Sequence, residues 1–285
     1  MNKPSIYDEI TNRIISMLEA GTIPWRKQWT TVARMPRNAV TMKPYRGVNI
    51  LLLHSLSYES PYFATYKQVA ELGGNVKRGE KACPVIFWKP LDVADKETGE
   101  MQKIPLLRYF YVFNLAQCEG LKSIPATIDA PAINTEAQGI IDNMPQRPSI
   151  KYGMTKAFYS PSEDYVGMPN RERFDNEAGF FATLYHELIH ATGHATRLNR
   201  ATLTGHAGFG TNDYSKEELV AELGSSFLCA EAGIEQQTLD NTAAYIANWL
   251  SVLKNDNKLI IQASAQAQKA TDFIYAKHFG EAAAE

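Results

Sequence analysis

Cysteine is scarce in this chain: three residues in 285, at positions 83, 118 and 229, with neither CxxC spacing nor an even count. That excludes a disulfide-stapled secreted scaffold and a thiolate zinc ribbon, and it fits reduced thiols serving as small core residues in a cytosol. No apolar run reaches membrane-spanning length, and Met1-Asn2-Lys3-Pro4-Ser5 lacks the apolar segment of a secretory signal. The expectation is a soluble cytoplasmic protein with no membrane partner. Internal repeats and low-complexity tracts are missing too, apart from an alanine-rich tail. At 45% hydrophobic residues the chain is not disordered, and it is long enough for two domains.

Acidic residues are absent from Ala20 to Tyr58. The overall charge of −2 conceals a division: residues 1–125 hold 17 Lys and Arg against 11 Asp and Glu, whereas residues 126–285 hold 12 against 20. A basic region joined to an acidic one fits nucleic-acid binding in the first and another task in the second. In the acid-free stretch, Arg26, Lys27, Arg34, Arg37, Lys43 and Arg46 are interleaved with Trp25, Trp29 and Tyr45. Cations neutralise phosphates, and aromatic faces stack on unpaired bases without demanding a sequence, so single-stranded DNA is the expected partner. The competing reading makes Trp25 and Trp29 core residues under a solvated basic loop.

Histidine is sparse as well, six in all, yet two of them fall in Tyr185-His186-Glu187-Leu188-Ile189-His190, an HExxH pattern. On a helix, residues four apart lie on one face, so His186 and His190 can offer two nitrogens to one ion, and Zn2+ suits that pair. Glu187 stands about 100° round the helix from His186, placed as general base rather than ligand. Asp175 or Asn176 can cap this helix, Phe181, Leu184, Leu188 and Ala191 recur at helical spacing, and Gly193 is a natural stop. A catalytic zinc takes a third protein ligand. The extended metzincin pattern requires His at 196, where the chain has Thr196. A helix over 215–231 supplies Glu218 and Glu222 as the candidates. The segment from Glu218 to Glu222 is similar to the ExxAD stretch of Glu-ligated zinc peptidases, which implies Glu218 as ligand and Glu222 as an acid orienting an imidazole, or as the alternative ligand.

Residues 5–20 form an amphipathic helix capped by Ser5, residues 47–56 and 65–72 form further helices, and Cys83–Pro90 with Leu106–Phe113 form a hairpin whose exposed face can carry aromatics. A strand, turn and strand over 156–169 precede the HExxH helix, and helices follow over 241–253 and 259–279.

The chain resembles the ArdC-type plasmid antirestriction proteins from end to end. The residues carrying the resemblance are Gly21-Thr22-Ile23-Pro24-Trp25-Arg26-Lys27-Gln28-Trp29, Pro44 to Asn49, His186 to His194, Arg197-Leu198 and Glu217 to Glu222. The resemblance implies an amino-terminal single-stranded-DNA-binding domain joined to a zincin-like metallopeptidase domain. With the aperiodic stretch of proline and small residues as a linker (126–135), the expectation is an α+β chain of two domains: an α+β DNA-binding domain (1–125) and a mainly helical metallopeptidase domain with a small sheet (136–285). The resemblance also implies protection of incoming plasmid DNA from host restriction during conjugation. The peptidase-type site adds a host protein or peptide to the expected partners, if it has a protein substrate at all. The alternative reading is a non-enzymatic coat on single-stranded DNA with a structural or vestigial metal site.

Overall fold

The computed structural model describes residues 5–26, 35–94, 101–122, 133–204, 212–234 and 243–276. Helix α1 (Ile6–Glu19) opens on a reciprocal cap: the Ser5 hydroxyl accepts from the Asp8 amide, and the Asp8 carboxylate accepts from the Ser5 amide at 3.0 Å. Its stripe of Ile10, Ile14 and Leu18 is buried, and a 3-10 turn at Pro24–Arg26 follows. Then come β1 (Arg37–Asn38), α2 (Val48–His54), β2 (Tyr62–Thr65), α3 (Tyr66–Glu71), β3 (Asn75–Val76), β4 (Cys83–Ala94), β5 (Met101–Asn114) and β6 (Cys118–Glu119). The main sheet has the order β1-β2-β5-β4, with β1 parallel to β2 and the rest antiparallel. Its long hairpin β4–β5 is the one expected from the sequence, whereas β1, β2, β3 and β6 are too short for a two-residue period to reveal.

The carboxy-terminal part runs α4 (Ile133–Asp142), β7 (Ser149–Lys151), β8 (Phe158–Ser160), β9 (Tyr165–Gly167), α5 (Glu177–Thr192), α6 (Ala201–Thr204), α7 (Asn212–Glu231), α8 (Ala243–Asn255) and α9 (Leu259–Ile274). Helix α4 begins within the stretch expected to be linker. The small sheet has the order β7-β9-β8, β8 and β9 being the expected strand pair before the HExxH helix. The architecture is α+β, as the sequence suggests.

Helix α7 packs on both α5 and α9. It approaches α5 closely because Gly224 has no side chain: a Cβ there would lie 2.6 Å from Ile189 Cδ1. One apolar cluster joins Ile10, Ile14 and Trp25 to Phe181, Leu219 and Trp249, so the amino-terminal part shares its core with the metal-site helices. Among the described residues, no helix is long and apolar enough to cross a membrane.

Candidate metal centre

Helix α5 is capped as expected by Asn176, whose side-chain oxygen accepts from the Gly179 amide at 2.8 Å. The helix repeat then brings His186 Nε2 and His190 Nε2 within 3.1 Å of each other. Helix α7 adds Glu218, with one carboxylate oxygen 3.6 Å from His186 Nε2 and the other 3.5 Å from His190 Nε2. Two ligands about 2.0–2.1 Å from one tetrahedral ion are separated by about 3.3–3.4 Å, so these spacings suit three donors to a single divalent cation. Among the described residues, His186, His190 and Glu218 are the group of potential ligands that converges in this way. His194 Nδ1 faces Thr196 Oγ1 at 2.8 Å, and His206 lies outside the described residues.

Glu187 is 8% exposed on α5. Its charge acts on His190, so it belongs electrostatically to the same cluster.

Glu217, one residue before the carboxylate of the cluster, takes the place on the imidazole expected of Glu222. Its Oε1 lies 3.3 Å from His190 Nδ1. A proton on Nδ1 donates to that oxygen and leaves the Nε2 lone pair directed at the ion site. Glu217 is itself held by Arg200, whose Nε donates to Oε2 at 3.1 Å and whose Nη2 donates to Oε1, and by the Thr202 hydroxyl at 2.6 Å. Both members of the Arg200–Glu217 pair are almost wholly enclosed, at 4% and 5% exposed. Burial is the largest influence on the Glu217 carboxyl and would raise its pKa, but the bonds from His190 and Arg200 outweigh it and bring the value down to about 2. For His190, burial again leads and lowers the pKa. The bond to Glu217 and the charges of Glu217, Glu218 and Glu187 reverse the direction, making this imidazole more basic than usual. Arg200 also donates to Thr192 Oγ1 at 2.6 Å and Ile189 O at 2.7 Å, fastening the end of α5 to α7. Gly193 makes room for it, since a Cβ there would stand 2.9 Å from Arg200 Nη2. Sequence reasoning missed Glu217 and Arg200. The only signal was an acid immediately before the expected ligand.

Glu222 receives a different group. Its Oε2 accepts from Trp25 Nε1 at 2.6 Å and from the Tyr245 hydroxyl. This corrects the expectation for Trp25, which is 1% exposed and packs edge-on against Trp249 at 5.9 Å. A large ring with its one N–H satisfied is more stable buried, and its face is not offered to bases. Tyr45 is corrected for the same reason: it is buried at 4% exposure against Phe63. Arg46 pairs with Asp272 on α9, Arg37 Nη1 donates to Met42 O at 3.1 Å, and Lys43 is exposed. The backbone of Arg26 ends the 3-10 turn, while its side chain, with Lys27, Trp29 and Arg34, lies outside the described residues.

Fold and site together define a chain whose carboxy-terminal part is a zincin-like metallopeptidase domain, preceded by an amino-terminal part that shares its core. Residues 136–266 match the zincin-like metallopeptidase model, and residues 4–113 match the N-terminal domain of anti-restriction factor ArdC. The crystal structure of antirestriction ArdC from plasmid R388, metal-free, is 36% identical with a TM-score of 0.75, covering 95% of this chain and 97% of that one. Its Mn(II)-bound form gives 35% and 0.76, covering 97% and 100%. The chain belongs to the ArdC-type antirestriction family. It is also 34% identical to the Sinorhizobium fredii protein y4eC, over 95% of this chain and 92% of that one. A DNA primase TraC of Escherichia coli is 33% identical over 96% of this chain, which spans only 27% of the primase.

Proposed function

We propose that the carboxy-terminal domain is a zinc-dependent peptidase and that residues 1–125 form a single-stranded-DNA-binding domain joined to it through residues 126–135. Together they would serve antirestriction, protecting incoming plasmid DNA from host restriction during conjugation. The observation that carries the enzymatic part is the convergence of His186, His190 and Glu218 beside Glu187. Two imidazoles and one carboxylate form the donor set of a catalytic zinc, which keeps a position for water. When bound, the metal supplies Lewis acidity to that water and to a substrate carbonyl. Glu187 accepts the proton of the attacking water and delivers it to the leaving amine. Glu217 fixes the tautomer and orientation of His190. Strand β8 ends its sheet and packs against α5, so an extended segment of a host protein can add to its outer edge through main-chain hydrogen bonds.

The DNA-binding part is supported by the basic balance of residues 1–125, by the ArdC N-terminal match and by the likeness to a protein named as a primase. The test of the enzymatic part pairs metal analysis with hydrolysis of a mixed peptide library. Glu187→Gln is expected to keep stoichiometric metal and to lose hydrolysis. Cleavage that survives this substitution would remove the mechanism. A parent protein that holds metal and cleaves nothing would favour the non-enzymatic coat.

A further inference from the structure

The β4–β5 hairpin is paired without a break from Cys83–Val112 to Ala94–Met101. Opposed residues share a face, and so do alternate residues along each strand. One face therefore presents Val85, Phe87 and Lys89 from β4, opposite Phe110, Arg108 and Leu106 of β5. Along the whole ladder this face contains no Asp or Glu. At its base Val85 and Val112 are fully buried, but further along Phe87 is 39% and Phe110 52% exposed. The two rings lie 5.8 Å apart at 66°, and Arg108, directly across from Phe87, is exposed, as is Lys89. Phe87 also sits 6.4 Å from the buried Tyr45 ring, which backs this face from the core side. The opposite face also carries exposed aromatics, Trp88, Tyr109 and Tyr111, yet it holds Asp92, and the Tyr111 hydroxyl donates to Glu9 at 3.2 Å.

We propose that single-stranded nucleic acid crosses the acid-free face of this hairpin, with Phe87 and Phe110 stacking on unpaired bases and Arg108 and Lys89 neutralising the adjoining phosphates. This rests on the DNA-binding reading above and gives it a surface other than Trp25 and Tyr45. Exposed rings in a row mark an interaction site rather than a solvated sheet. Their company selects the partner: lysine is depleted from the centre of protein–protein interfaces, whereas rings flanked by cations are what a flexible polyanion with free base faces requires. Paired bases hide their faces, so the rings favour single strands, and stacking accepts every base, so sequence preference is small.

The experiment is a fluorescence-anisotropy titration of the full chain with labelled oligothymidine and with a duplex of equal length, at two salt concentrations. Phe87→Ala and Phe110→Ala should each weaken single-strand binding about 5- to 150-fold and affect duplex binding less. Arg108→Ala, at an exposed position away from the core, should lower the salt slope by about one. Trp88→Ala on the opposite face should leave affinity within about twofold of the parent. Parent-like binding by Phe87→Ala, Phe110→Ala and Arg108→Ala overturns the proposal while leaving the DNA-binding reading intact. A parent that binds neither oligonucleotide overturns both. A parent that self-associates through these rings, losing association but not DNA affinity in the two Phe variants, assigns the face to a second copy of the chain and overturns the proposal.

Discussion

Helices α5 and α7 and the acid-free stretch from Ala20 to Tyr58 are both dense in residues that carry chemistry, and the fold treats them in opposite ways. Between the helices, polar groups are taken inside and linked in a chain: His190 to Glu217, Glu217 to Arg200 and Thr202, Arg200 to the carbonyl end of α5. In the stretch, the rings Trp25 and Tyr45 go inside, while Lys43 stays in solvent and Arg46 crosses to Asp272. The difference follows from cost. A buried polar cluster is tolerated when every member is satisfied, and a large ring is stabilised by burial unless function holds it out. A metal site can therefore be interior, whereas a base-stacking site cannot be.

The largest expected effect breaks the helix pair itself. His186→Ala or His190→Ala should abolish stoichiometric metal binding, because two remaining protein donors do not hold a catalytic ion against dialysis. Glu218→Ala should come next. Metal content of the dialysed variants, measured by mass spectrometry, decides it, and a stoichiometric ion in either His variant would place the site elsewhere.

This half of the molecule is the legible one, for a physical reason. The four-residue spacing of His186 and His190 becomes a geometry as soon as the segment is helical, and the Asn176 cap and the apolar repeat, both local, mark it as helical. Glu217 was not legible. Adjacent acids on one helix point about 100° apart, and which of them faces the ion depends on Arg200, which tertiary packing alone brings to α7. The fate of Trp25 was equally hidden, since Glu222 and Trp249 lie some two hundred residues away in sequence. Local composition records that a stretch is basic and aromatic, but not which rings the rest of the chain will cover.

A smaller effect sharpens the contrast between the two acids that received different roles. Glu217→Ala leaves Arg200 buried without its anion and should cost about 3–5 kcal/mol in urea unfolding of the metal-free protein. In the folded protein it should also weaken metal binding about 10- to 100-fold, by freeing the His190 ring. Glu222→Ala removes the acceptor of Trp25 and Tyr245, so its effect should fall on stability, with metal affinity changed less than in Glu217→Ala. Competition with a chromogenic chelator separates them. If Glu222→Ala weakens the metal more, Glu222 rather than Glu217 supports the site.

The smallest effect concerns Trp25 and tests whether the two regions are joined only through the core. Trp25→Leu keeps an apolar side chain but removes the indole N–H to Glu222 and part of the ring volume against Trp249. Loss of that hydrogen bond and the cavity left behind should together cost about 2–4 kcal/mol. Because the ring is covered, affinity for single-stranded DNA, measured well below the melting temperature, should stay within about twofold of the parent, whereas an exposed stacking ring would lose about 5- to 150-fold. A stability loss with unchanged DNA affinity makes Trp25 a core residue that anchors the amino-terminal segment to the metal-bearing helix α7. A large loss of DNA affinity with unchanged stability would mean that the indole leaves Glu222 to meet DNA, and the acid-free stretch would then return to the binding surface.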